Sequence, residues 1–296
     1  MSLSDRGPAE ALLHGLIDYA GLFSPAALPM NRAADNYRRY LAGEHRAALG
    51  RFVCPAGRLG ELADQLGPED AWRVRAVLDL DPEAFGAAVE AFRQAAPLCE
   101  VDGVEARAES VSELRELIAR LPESACFEIP RIPAGAPFLE VLAERRRTAK
   151  FRTGGSEPEA FPDASEVARF LEAAASARVP FKATAGLHHA LPGEYPVNYE
   201  PDSPRAAMNG FLNLFLAAAL AWSGRTGSLV GLLESQDLRL VPEGIVWSAR
   251  TGGEGELVPT EAIRRARQEF ALGYGSCSFK EPLDELNRLG WLPEAE

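Results

Sequence analysis

Short apolar runs alternate with amphipathic stretches along nearly the whole chain, and eight such units fit within 296 residues, which predicts an α/β fold: a single (β/α)8 barrel. Composition agrees with one sizeable core. Hydrophobic residues make up 47% and charged residues 25%, with 26 glycines and 22 prolines, the profile of an ordinary globular chain. No internal repeat, heptad pattern, low-complexity tract or linker divides the sequence, so residues 1–296 are expected to form one TIM-barrel domain.

The strand candidates, in order, are Leu16 to Ala20, Arg51 to Pro55, Arg73 to Leu80, Val101 to Arg107, Ala125 to Pro130, Ala149 to Thr153 and Pro180 to Ala185. Between them lie stretches long enough for crossover helices: Ala33 to Ala48, Pro82 to Ala95, Val111 to Leu121, Pro137 to Arg147 and Ala164 to Ala177. Two segments compete for the eighth strand, Ser228 to Glu234 and Ala271 to Phe279, and the sequence does not choose between them. If the later one closes the barrel, residues 236–258 become an inserted hairpin, with Ile245 to Ala249 as one arm, the turn-rich TGGEGE after it, and a helix starting at Pro259-Thr260.

A long loop, Leu187 to Ala207, follows the seventh strand and carries Pro192, Pro196, Pro201, Pro204, Tyr195 and Tyr199. Structureless stretches of that length in a compact domain often act as lids, and this one leaves a strand on the face where barrel active sites form. It is expected to cover the pocket. Next comes the most apolar segment, Met208 to Trp222, whose 15 residues fall short of the ~18–20 needed to span a bilayer. It reads as a buried helix, apolar around most of its circumference, which predicts that a partner subunit covers part of it and that the chain is a homo-oligomer.

Formal charge is −12, from 43 acidic and 31 basic side chains spread along the chain, which argues against nucleic acid and anionic membrane as partners and leaves a small-molecule substrate. Cys54, Cys99, Cys126 and Cys277 have no CxxC spacing, as expected of reduced thiols. The first ten residues lack a basic start followed by an apolar run, so a cytoplasmic location is expected.

Lysine is rare here: 28 of the 31 basic residues are arginine, and the three lysines are Lys150, Lys182 and Lys280. Lys150 and Lys182 fall in the sixth and seventh strands, which are neighbours around a barrel. Lysine, unlike arginine, can lose its proton near neutral pH and attack a carbonyl. Two ammonium groups beside Arg152 are expected to push one lysine towards neutrality, inside one pocket at the C-terminal face. Strand alternation turns Cys126 and Glu128 towards the barrel axis when Phe127 and Ile129 face the helices. For the fourth strand, parity favours Glu105 over Asp102 as the inward carboxylate, and Asp18 near the end of the first strand is a base, a ligand or a cap. Thr153, Gly154 and Gly155, then Thr184 and Gly186, then Ser276 in a Gly-Ser-Cys-Ser run are candidates for holding an anion on backbone N–H groups. His188 and His189 are adjacent, and with four histidines and no HxH or HExxH spacing neither a metal nor a cofactor is expected.

Five segments read in order resemble deoxyribose-phosphate aldolase and its class I aldolase relatives: Leu16-Ile17-Asp18-Tyr19, Phe52-Val53-Cys54-Pro55, Glu100-Val101-Asp102, Lys150 with Thr153-Gly154, and Lys182 with Ala185-Gly186. The resemblance covers about Leu16 to Gly186, and Gly275-Ser276-Cys277-Ser278 is similar to that family's final phosphate-binding turn. It implies that Lys150 forms the imine, that Lys182 tunes it and that Asp102 takes part in a proton relay. Arg152 departs from the family, which has a small polar residue there.

The expected function is therefore a lysine-dependent, Schiff-base carbon–carbon lyase on a small oxo or aldehyde substrate, phosphorylated or not. Two alternatives stand beside it. One is a non-catalytic barrel that binds an anionic metabolite through Arg152, Lys182 and the glycine turns. The other is a metal-dependent hydrolase using Asp18, His188 and Glu128.

Overall fold

A computed structural model describes residues 7–249 and 255–292. Eight parallel strands close into a barrel. Seven lie where the sequence places them: β1 (Ile17–Tyr19), β2 (Leu49–Pro55), β3 (Arg73–Val77), β4 (Glu100–Arg107), β5 (Cys126–Glu128), β6 (Thr148–Arg152) and β7 (Phe181–Thr184). After β7 the chain forms an antiparallel ribbon, β8 (Gly193–Pro196) with β9 (Arg205–Met208), and then a three-stranded antiparallel sheet of β10 (Asp237–Val241), β11 (Gly244–Ser248) and β12 (Glu256–Pro259). Strand β13 (Ala271–Ser276) closes the barrel between β7 and β1.

The eighth strand is thus the later candidate, and Ser228 to Glu234 is not a strand. Its core is the helix Leu229–Leu233, with Leu229, Leu232 and Leu233 buried at helical spacing. A short apolar run carries no period of its own, which is why the sequence left the choice open. The inserted hairpin is a three-stranded sheet, and the helix expected at Pro259-Thr260 runs Thr260–Glu269. Most of the TGGEGE turn, 251–254, lies outside the described residues.

The crossover helices start where their caps are. Asp81 accepts from the backbone N–H groups of Glu83 and Ala84 at the head of Pro82–Ala95, Ser110 from Glu113 at the head of Val111–Arg120, and Asp163 forms a full capping box with Glu166 before Ala164–Ser176.

Alternation along the strands sends one set of side chains outward. Ile17, Tyr19, Phe52, Val74, Val104, Ala106, Phe127, Ala149, Phe151, Phe181, Ala183 and Tyr274 join the hydrophobic layer between barrel and helices. Phe151 stacks on Phe170 at a centroid distance of 3.9 Å, and Phe181 packs edge-on against Phe270 at 5.0 Å. This layer carries the apolar core.

The apolar run forms the helix Phe211–Trp222, and every residue from Phe211 to Ala221 is buried within the single chain. The helices Ala164–Ser176, Leu229–Leu233 and Thr260–Glu269 pack around it, and Tyr274 of β13 stacks on Phe211 at 5.5 Å. Asn213, its one polar residue before Trp222, donates to the carbonyls of Leu232 and Ser235 at 2.7 and 2.8 Å. The chain covers this helix by itself, so the ground on which a partner subunit was expected there is removed. No described helix is long and apolar enough to cross a membrane.

Candidate functional site: a charged barrel interior

With the apolar side chains turned outward, the barrel axis receives the other set. In most barrels that set is branched and aliphatic. Here it includes Asp18 of β1, Glu105 of β4, Glu128 of β5, Lys150 of β6 and Lys182 of β7, all buried. Ala149 and Phe151 face out, so Lys150 faces in; Phe181 and Ala183 do the same for Lys182. The two lysines are register partners on adjacent strands.

These groups form one chain of alternating charge. Lys182 Nζ lies 2.7 Å from Asp18 Oδ2 and donates to Glu105 Oε1. Glu105 Oε2 lies 2.9 Å from Lys150 Nζ, which is 3.3 Å from Glu128 Oε2. Arg152 completes the chain, its Nε and Nη2 donating to the two oxygens of Glu128 at 2.8 and 3.1 Å. Three carboxylates thus face three cations in alternation.

This arrangement overturns the expectation of a neutral lysine. Burial works against the ammonium of Lys150, but Glu105 and Glu128 outweigh it and raise its pKa above the ordinary lysine range. At Lys182 burial is likewise outweighed, by Asp18 and Glu105. Burial also opposes ionisation of Glu105, yet the two ammonium groups hold its carboxyl far below the usual carboxylate range. The alternative reading of the sequence, a strand lysine paired with Glu105 or Glu128, is the arrangement observed.

The two lysines share one carboxylate. They meet inside the barrel, at Glu105. Lys150 also meets Glu128, which pairs with the half-exposed Arg152, whereas Lys182 lines a cavity of about 230 Å³ at the N-terminal mouth. That cavity is bounded by residues at or just before strand starts, including Ser124, Cys126, Thr148 and Gly273, together with Arg51, Arg75, Asp102 and Asp18.

Parity chose Glu105 over Asp102, and Glu105 is the carboxylate between the lysines. Asp102 nevertheless also turns inward, because the β3–β4 register shifts between Val74 and Arg75 and breaks strict alternation. Its side chain sits one level lower, held by Arg51 Nε at 2.8 Å and Arg73 Nη2 at 2.5 Å. The arginines missed in the sequence are Arg51, Arg73 and Arg75. Alternation in Arg73-Val74-Arg75 around an outward Val74 was the signal that could have found them. Asp18 is neither a free base nor a cap: Oδ1 accepts the N–H of Arg51 at 2.6 Å across the bare Gly50, where a Cβ would stand 2.1 Å from that oxygen.

The glycines at the strand ends serve packing. A Cβ on Gly186, at φ +73°, would lie 2.7 Å from the Thr153 carbonyl and 2.8 Å from Gly154 Cα, and one on Gly154 would meet Phe161 at 2.6 Å. A Cβ on Gly155 would meet Ala160 at 2.7 Å. Thr153 Oγ1 donates to the carbonyl of Thr184 at 3.2 Å and to that of Ala185, and Ser276 Oγ donates to Ser278 O at 2.6 Å. The Thr153 hydroxyl is therefore spent on tying the end of β6 to the end of β7, and that of Ser276 on its own turn.

The segment after β7 docks beside the C-terminal mouth. Val197, Ala206 and Met208 pack with Tyr195 against Phe161, and His189 Nδ1 meets Glu285 at 2.7 Å while its ring stacks on Tyr195. His188 lies 3.9 Å from Cys277 Sγ and 3.8 Å from Glu281, and its burial and the neighbouring His189 lower its pKa to about 4, so its imidazole is neutral at pH 7. Its partners, Cys277 and Glu281, lie outside the lysine chain. Among the described residues no three His, Cys, Asp or Glu side chains converge as a metal site would require, and Asp18 and Glu128, both donors of the hydrolase reading, are engaged by lysine and arginine.

No protein-family model and no curated protein matches the chain.

Proposed function

We propose that the protein is a lysine-dependent carbon–carbon lyase acting on a small oxo or aldehyde substrate, with Lys150 as the imine-forming residue. The observation that carries this is the position of the Lys150 ammonium: inside the barrel, between Glu105 and Glu128. The carboxylates that hold the ammonium suit an iminium ion equally, because both species carry one positive charge on the same nitrogen. Lys150 gives up its proton to solvent, the free amine forms a C–N bond to the substrate carbonyl carbon, and the carbinolamine hydroxyl takes up a proton from solvent and leaves as water to give the iminium. A flanking carboxylate or water takes the proton of the substrate's β-hydroxyl as the bond between the α and β carbons breaks. The β carbon leaves as a carbonyl, the electron pair passes into the iminium to give an enamine, and protonation at the α carbon followed by hydrolysis of the C–N bond releases the second product and the Lys150 amine. Arg152 at the mouth suits an anionic group on the substrate.

A second reading is favoured by one observation, that both lysines are held as ammonium: the barrel binds an anionic metabolite without chemistry. Incubation with small aldehydes and ketones plus borohydride separates the two. A lyase of this kind gains the mass of a reduced adduct, and a binding protein gains none.

A further inference from the structure

Away from the lysine chain's open end, the N-terminal mouth of the barrel holds a guanidinium that forms no direct ion pair. Arg75 of β3 points into the cavity of about 230 Å³ described above. Arg51 in the same wall is paired with Asp102, and Lys182 with Asp18 and Glu105. Among the described residues Arg75 has no ion-pair partner: Nη1 donates to the Ser124 carbonyl at 3.3 Å, and Nε is buried with no hydrogen-bond partner. The backbone makes room for it, since a Cβ on Gly103 would stand 2.3 Å from Arg75 Nη1. Arg51 and Lys182 are paired with Asp102, Asp18 and Glu105, and Arg75 lies in the field of these carboxylates without an ion pair to any of them. A buried guanidinium with an orphaned nitrogen is costly unless something pairs with it.

We propose that the N-terminal mouth is a binding site for a small monocarboxylate, whose single negative charge pairs with Arg75. A planar carboxylate matches the guanidinium, whose Nε has no hydrogen-bond partner. Leu272, part of the lining and 38% exposed, forms the lip through which such an anion enters. The site stands apart from Arg152 and the C-terminal mouth and does not depend on imine chemistry.

The test is calorimetric titration of the whole chain with acetate, and separately with sulfate, at ionic strength held constant with chloride. Saturable acetate binding is expected, weakened at least tenfold in Arg75→Met and unchanged in Arg152→Met. Leu272→Trp, which blocks the lip without touching a charge, provides the second variant if Arg75→Met does not fold, and it too is expected to abolish binding. Acetate binding that survives Leu272→Trp or Arg75→Met, binding lost in Arg152→Met instead, saturation by sulfate alone, or no saturable heat at all would each overturn the proposal.

Discussion

Replacing Glu105 by Gln cuts the charge chain at its centre. Glu105 is 3% exposed and faces both ammonium groups, so its loss leaves two buried cations with one carboxylate fewer between them. Removing one partner of a buried pair costs roughly 3–5 kcal/mol. Lys182 keeps Asp18 at 2.7 Å and Lys150 keeps Glu128 at 3.3 Å, which places the loss at the lower end, about 3 kcal/mol. For a domain of this size that is a fall in Tm of about 6–12 °C at pH 7, measured by scanning calorimetry. The pH dependence has a definite sign. The folded carboxyl of Glu105 is held below its unfolded value, so its stabilisation is present above the ordinary glutamate range, near ~4.3, and is lost as pH falls through the folded pKa. The gap between wild type and Glu105→Gln must therefore narrow in acid. A loss below about 1 kcal/mol, the scale of an exposed ion pair, or a gap that is flat with pH would refute the charge-chain argument.

Lys150 and Lys182 have folded pKa values raised above the ordinary lysine range, so the stability they contribute is full below that range and is lost as pH rises through the folded values. With three lysines in the chain, 13C-lysine NMR with Lys280→Arg for assignment reads two buried titrations directly, and both should fall on the alkaline side of free lysine. Gly186→Ala is expected to cost more than about 2 kcal/mol in urea unfolding, from its left-handed backbone and the contact with the Thr153 carbonyl. Tyr274→Phe removes a buried hydroxyl that has no hydrogen-bond partner, and thermal unfolding should show a protein as stable as wild type or up to about 1 kcal/mol more so.

The barrel was legible in the sequence because its signal is local: seven strands and their crossover helices announce themselves through apolar runs, caps and period. The eighth strand was not, since Ser228 to Glu234 and Ala271 to Phe279 are both short and apolar, and only closure of the sheet between β7 and β1 decides between them. The same holds at the site. Alternation placed Glu105 and Glu128 on the axis, because parity within one strand suffices, and Lys150 and Lys182 were placed by their positions in neighbouring strands. It could not show that Glu105 reaches both lysines, since that depends on three strands together, and the resulting ammonium state is the opposite of the one expected from counting cations. Asp102 escaped parity because the register shift opposite Val74 and Arg75 adds a residue that no single-strand pattern reveals.

Borohydride trapping followed by peptide mapping tests the central claim most directly, carried out at pH 7 and at pH 10 with a panel of small aldehydes and ketones. Because Lys150 is held as ammonium, the adduct is expected to form slowly at pH 7 and faster at pH 10, on the peptide containing Lys150, and to disappear in Lys150→Arg. An adduct confined to Lys182, or none on either buried lysine at either pH with any carbonyl of the panel, would contradict it.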